Sequence, residues 1–162
     1  MTSATKTPTR QATVTRTGDR QFRVERIFDA PRERVWRAMT DAKLLAQWWG
    51  RGNPLDVEEL DVRPGGSWRF VEHAGGATHG FRGSFREVAP PERLVQTFVY
   101  DGAPDHVMVN EMTLEDLGDG RTRLVALSLF QTQEELQAMT RSGMEAGMNQ
   151  SYAALDQLLA SL

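Results

Sequence analysis

The chain has 162 residues, 40% of them hydrophobic and 25% charged, which suits one globular domain with room for a real core. A formal net charge of −3 gives no long-range pull toward phosphate backbones, so no nucleic-acid partner is expected. The absence of cysteine removes disulfides, thiolate metal sites and cysteine nucleophiles, and leaves no sign of an oxidising compartment.

Residues 1–18 are rich in Thr, Ser, Arg and Lys and hold no apolar run. They read as a disordered N-terminal tail rather than a targeting peptide. No stretch anywhere approaches the roughly 20 apolar residues of a membrane span, so membrane insertion is not expected and the cytoplasm is the default location. The first ordered element is a strand over Gln21 to Phe28, with Phe22, Val24, Arg26 and Phe28 alternating against Arg23, Glu25 and Ile27. Ala30-Pro31 opens a short helix carrying Val35, Trp36 and Met39 on one stripe, with Pro31 at its first position. Thr40-Asp41 starts a second, which runs through Leu44 and Leu45 to Trp48-Trp49 and stops at Gly50 and Gly52.

From Leu55 to Phe130 the apolar period changes to two. Turn residues fall at Pro64-Gly65-Gly66, Gly75-Gly76, Pro90-Pro91, Asp101 to Pro104 and Gly118-Asp119-Gly120. They punctuate about six strands joined by hairpins, an antiparallel meander. The last element opens on Thr132 and Glu135, the spacing of a capping box, and no proline follows. Met144, Met148, Tyr152, Leu155, Leu159 and Leu162 then recur at helical spacing, which predicts one long C-terminal helix.

A meander with one apolar face must cover it, and only the terminal helix is long enough. The expected fold is therefore α+β: a helix grip, with a curved antiparallel sheet of about six to seven strands wrapped on the C-terminal helix and two short helices after the first strand. Hairpin register assigns the inner face. Phe70 falls opposite Phe81 and Trp68 opposite Gly83. Across Pro90-Pro91 a loop of about four residues sets Phe85 opposite Phe98 and Gly83 opposite Tyr100. Gly83 between two large aromatics is either a cavity wall or a bulge that bends the sheet. The same register sets Glu72 beside His79 on the inner face and turns His73 outward.

These residues also carry a resemblance. Phe28-Asp29-Ala30-Pro31 with Val35-Trp36, Trp48-Trp49, Asp61 to Gly66, Phe81-Arg82-Gly83, Val88 to Val95, and Gly143-Met144-Glu145 leading into Ser151-Tyr152 resemble the START-like, birch-pollen-allergen-like superfamily called SRPBCC. The branch is the one named for the activator of the heat-shock protein ninety ATPase. The resemblance covers Phe28 to Leu162 and implies that residues 19–162 form a single SRPBCC/START-like domain with a tunnel for an apolar or aromatic ligand. It implies no particular reaction and no cofactor. Relatives include lipid carriers, aromatase/cyclases and a stress-related co-chaperone, so the resemblance also implies, as a second alternative function, a stress-related co-chaperone of a heat-shock ATPase. Relatives often pair, so a homodimer is compatible with the resemblance, although no feature of this sequence requires one.

The expected partner is a small hydrophobic or aromatic molecule, held by Trp48, Trp49, Trp68, Phe70, His79, Phe81, Phe85, Phe98, Tyr100, Met144, Met148 and Tyr152. The aromatics line the sheet, and the methionines offer an adaptable wall. As an alternative, Glu72 could orient His79 for proton transfer in a cyclase- or isomerase-like enzyme; a rim ion pair is the preferred reading of these two. His73, His79 and His106 have no metal-ligand spacing, so no metal is expected. Gly143 and Gly147 either let the helix approach the sheet or open the pocket beside it.

Overall fold

The computed structural model describes residues 10–162, and its backbone is one eight-stranded antiparallel sheet with four helices. In chain order these are β1 (Thr13–Arg16), β2 (Gln21–Phe28), α1 (Arg32–Thr40), α2 (Ala42–Leu45), β3 (Leu55–Leu60), β4 (Ser67–Ala74), β5 (Ala77–Ala89), β6 (Arg93–Tyr100), β7 (Val107–Gly118), β8 (Arg121–Leu129), α3 (Gln133–Arg141) and α4 (Met144–Ser161). The strand order is β1-β2-β8-β7-β6-β5-β4-β3. Six consecutive strands form the meander, and β2 closes against its last member. Helices α1 and α2 carry the chain from β2 near one edge to β3 at the other. This is the helix-grip architecture that the sequence implied.

Local chemistry explains the element ends. Pro31 is the cap residue of α1, one position before the helix rather than inside it, and its carbonyl accepts from Arg34 and Val35. Asp41 caps α2 through its carboxylate, which accepts from the Lys43 and Leu44 backbone N–H groups. This helix ends at Leu45, so Trp48 and Trp49 sit on the turns that follow it. Thr132 caps α3 by accepting from Glu135 N. The Glu135 carboxylate turns instead to His106, 2.9 Å away.

Two further expectations differ from the structure. Residues 10–18 are not all tail, because Thr13–Arg16 pairs with β2 as an edge strand. Thr13, Val14 and Thr15 are β-branched, and the turn at Gly18 brings them back onto β2. Residues 1–9 lie outside the described residues. The terminal helix is also not continuous. Gly143 adopts a left-handed conformation, φ 81°, which ends the helical path between α3 and α4.

The core lies between the sheet and α4 in two clusters. The larger joins Phe28, Leu114, Leu124 and Trp68 of the sheet to Leu155, Leu158 and Leu159 of α4. The smaller joins Phe22, Val24, Phe130 and Leu136, with Met108, Met139, Met144 and Met148 packed against it. On α4 the buried line is Gly147, Ser151, Leu155, Leu158 and Leu159, whereas Leu162 is exposed. The small residues sit where the helix meets the turn holding Trp49 and Arg51: Ser151 Oγ donates to the Trp49 carbonyl at 3.2 Å.

Candidate functional site

The register of β4 on β5 is the expected one, with Trp68 opposite Gly83, Phe70 opposite Phe81 and Glu72 opposite His79. Between β5 and β6 the register differs by two residues: Phe81 lies opposite Tyr100 and Phe85 opposite Gln96. The loop after Ala89 is one residue shorter than expected, since Ala89 pairs with Arg93, and a bulge between Phe85 and Glu87 shifts the strand by one more. Two single-residue shifts preserve the faces. The expected aromatics thus remain on the inner side, but Gly83 falls opposite Phe98 instead of Tyr100.

The inner space at this end is occupied by Trp49. Its ring makes edge contacts with Phe70 and Phe81, centroids 5.2 and 5.0 Å away, and lies 6.5 Å from Phe98. Trp68 packs on Phe70 and Phe98, and Phe81 on Phe98 and Tyr100. The two tryptophans of the turn differ in their anchoring. Trp48 is buried and its indole N–H donates to the Ala38 carbonyl at 2.9 Å. Trp49 is half-buried, and among the described residues its indole nitrogen has no hydrogen-bond partner. Phe85 is buried at the far side of the same face, and Met144, Met148 and Tyr152 pack on the smaller cluster.

Glu72 and His79 are cross-strand neighbours with separate partners. Glu72 is almost completely buried and accepts two hydrogen bonds from Arg51, at 2.8 and 3.3 Å. The hydrogen bond to Glu72, reinforced by its charge, holds the Arg51 guanidinium above its ordinary pKa. His79 Nδ1 lies 2.9 Å from the Tyr100 hydroxyl. Arg51 was not singled out by sequence. Its only local trace is its place between Gly50 and Gly52, where it takes a left-handed φ of 58°. Gly147 is the other half of that arrangement, for a β-carbon there would press on the Arg51 side chain. Of the two glycines, Gly143 therefore breaks the helix and Gly147 makes room for an arginine.

The three histidines are dispersed, His73 on Asp56, His79 on Tyr100 and His106 on Glu135. Two open surface clefts of about 480 and 510 Å³ lie away from the aromatic end. The first is edged by Arg32, Glu92, Arg93 and Leu114, the second by Val14, Phe22, Leu136 and Met144. Of the residues expected to hold a ligand, only Met144 lines either.

Tyr152 joins the two clusters, packing edge-on against Phe28 with centroids 5.4 Å apart. Burial pushes its phenol up to about 12, against the charge of nearby Arg26, which lowers it. An unfolded tyrosine ionises near pH 10. Folding therefore keeps the proton longer, and the stabilisation present below that pH is lost as pH rises toward the folded value. With two tyrosines in the chain, phenolate absorbance should show one that resists ionisation until the fold opens, and Tyr152→Phe should remove that component. Ionisation of Tyr152 near pH 10 in the folded protein would contradict this assignment.

Residues 29–160 match the model of the family described as Activator of Hsp90 ATPase homolog 1-like protein. No curated protein matches the sequence. Among solved structures, a crystal structure of a Rhodobacter sphaeroides protein is similar at 28% identity, covering 94% of this chain and 99% of that one, with a TM-score of 0.85. A solution structure of an Arthrobacter aurescens protein is 26% identical, covers 93% and 92% of the two chains, and has a TM-score of 0.83. Protein CV1439 of Chromobacterium violaceum is 30% identical over 88% of this chain and 98% of its own, with a TM-score of 0.72. No helix among the described residues is long and apolar enough to cross a membrane.

Proposed function

Since the chain belongs to the Activator of Hsp90 ATPase homolog 1-like family, we propose that it binds a small apolar or aromatic molecule between the sheet and α4. The carrying observation is Trp49. It is a half-buried ring on a turn, caged by Phe70, Phe81 and Phe98 in the geometry a flat aromatic guest would adopt. The residues beside it are fastened, Trp48 to Ala38 and Arg51 to Glu72. Rotation of one side chain exchanges an internal aromatic for an external one, and packing of the guest on the same three rings replaces what the indole gives up.

The inner face has little else with which to perform chemistry. Among the described residues its two buried charged side chains, Arg26 and Glu72, are each engaged in an ion pair. His79 faces a phenol rather than a carboxylate, so binding without reaction is the reading we favour.

Trp49→Ala tests it. Loss of a half-buried indole should lower stability by about 2–4 kcal/mol, toward the low end of large-to-small aromatic replacements. The space left is lined by Phe70, Phe81 and Phe98, and apolar cavities of this kind take up aromatic guests. Indole or a naphthalene dye should therefore bind the variant more tightly than the wild type and restore part of the lost Tm. If neither protein binds such probes by calorimetry, and Tm does not respond to them, the proposal fails.

A further inference from the structure

The middle of the inner face carries a line of uncharged polar side chains that the aromatic end does not explain. Gln96 lies opposite Asn110, and Asn110 opposite Ser128, on three adjacent strands. Their face is fixed by their neighbours: Gln96 pairs with buried Phe85, and Ser128 with buried Phe22. Apolar residues bracket the line on both sides. Leu94, Met112 and Ala126 form the adjoining set in one direction, and Phe98, Met108 and Phe130 in the other. Met108 packs on the smaller cluster, Met112 on the larger, and Tyr152 on both, so Asn110 sits at the seam beneath α4.

The hydrogen bonding of this line is half complete. Ser128 Oγ donates to Asn110 Oδ1 at 2.9 Å, which occupies the oxygen of the amide and leaves its N–H₂ group directed elsewhere. Among the described residues neither that N–H₂ group nor the Gln96 amide has a partner, and both side chains are half-buried. The Tyr152 hydroxyl also has none among the described residues. Neither amide is among the buried side-chain nitrogens without a partner, which among the described residues are those of Arg26, Arg32 and Arg123, so both remain open to water or to a guest that takes its place. Among the described residues no free cation faces them from this sheet surface, because Arg26 is bound to Asp156 and Arg51 to Glu72.

We infer that Gln96 and Asn110, with Ser128 orienting the second, form a polar subsite that selects uncharged aromatic ligands bearing a carbonyl group. This rests on the binding reading above and narrows it to a ligand class. The Asn110 and Gln96 amides donate to the carbonyl oxygen, while the flat hydrocarbon body lies on Phe70, Phe81 and Phe98, the three rings that Trp49 covers. A pure hydrocarbon would displace water from the amides and return nothing. A carboxylate would enter with an uncompensated charge.

The test compares three probes of one shape, fluorenone, fluorene and fluorene carboxylate, by calorimetric titration of the full chain and of Trp49→Ala. Fluorenone should bind at least tenfold more tightly than either other probe. Asn110→Leu and Gln96→Leu, which keep volume while removing the amide, should erase most of that preference and leave fluorene binding unchanged or improved. Equal affinity for fluorenone and fluorene, or a preference surviving both substitutions, overturns the polar subsite while leaving the apolar cavity intact. Carboxylate binding as tight as that of the ketone overturns the selection for uncharged ligands. Failure of both proteins to bind any probe removes the cavity itself. Circular dichroism and Tm of each variant establish that losses arise from the subsite and not from misfolding.

Discussion

Asp156→Ala should destabilise the fold by about 3–5 kcal/mol, the usual consequence of stranding one member of a buried ion pair. The Arg26 side chain is fully buried on β2, and both terminal nitrogens engage the Asp156 carboxylate of α4, at 2.8 and 2.6 Å. The same nitrogens donate to the Ile27 and Arg10 carbonyls, and the guanidinium lies 4.7 Å from the Phe28 ring centre. These contacts orient the cation, but among the described residues only Asp156 neutralises it. Asp156 is itself 36% exposed, so the two partners are unequal. Removing the arginine leaves a carboxylate that water can reach, whereas removing the carboxylate leaves a cation that it cannot. Arg26→Met should consequently cost less than Asp156→Ala, and the double variant no more than Arg26→Met alone. At about 2–4 °C per kcal/mol for a chain of this size, Asp156→Ala should lower Tm by roughly 6–20 °C. A loss under about 1 kcal/mol would show that water reaches the guanidinium.

Gly83→Ala should be nearly as damaging, on the order of 3–5 kcal/mol, although it adds one methyl group. The Trp68 indole N–H reaches from β4 across β5 to donate to the Thr97 carbonyl on β6, at 3.2 Å. Gly83 lies beneath that crossing. A β-carbon there would overlap the Thr97 oxygen and press on the indole nitrogen. The substitution must therefore shift β6 or eject the Trp68 ring, which is 1% exposed. Trp68→Phe, which loses only the N–H and part of the ring, is the milder comparison. Denaturant titration should rank Gly83→Ala below it. If Gly83→Ala were neutral or stabilising, there would be free space beside Trp68 and the glycine would be a cavity wall after all.

That outcome bears on what the residue pattern disclosed. Alternation along β4 and β5, with a Gly75-Gly76 turn between them, was enough for register, because a tight hairpin leaves few ways to align two strands. At Pro90-Pro91 the same logic preserved faces but displaced partners by two, since neither loop length nor the bulge at Arg86 leaves a periodic trace. Short β1 has one apolar residue, Val14, too little to distinguish it from the tail. The helix break was hidden because Gly143 lies within an otherwise helical pattern, and the left-handed backbone appears only in three dimensions.

The site was legible as a surface and not as a volume. Aromatic residues expected on the inner face are there, but a sequence cannot show that Trp49 fills the space they surround. The Arg51–Glu72 pair was missed for a similar reason, since its members are a turn residue and a strand residue 21 positions apart. The polar line through Asn110 crosses three strands. It becomes visible only once the register of β6, β7 and β8 is known.

The sheet's connectivity also sets an order of events during synthesis. Strands β3 to β8 can zip as successive hairpins while the ribosome is still at work, each waiting only for its immediate neighbour. Strand β2 emerges before all of them, yet its partner β8 is about a hundred residues behind it. Until then Arg26 remains hydrated, and the carboxylate that permits its burial arrives with Asp156 on α4, after all eight strands. The ion pair is thus a late latch. The inner face cannot be sealed on that side before α4 has left the ribosome.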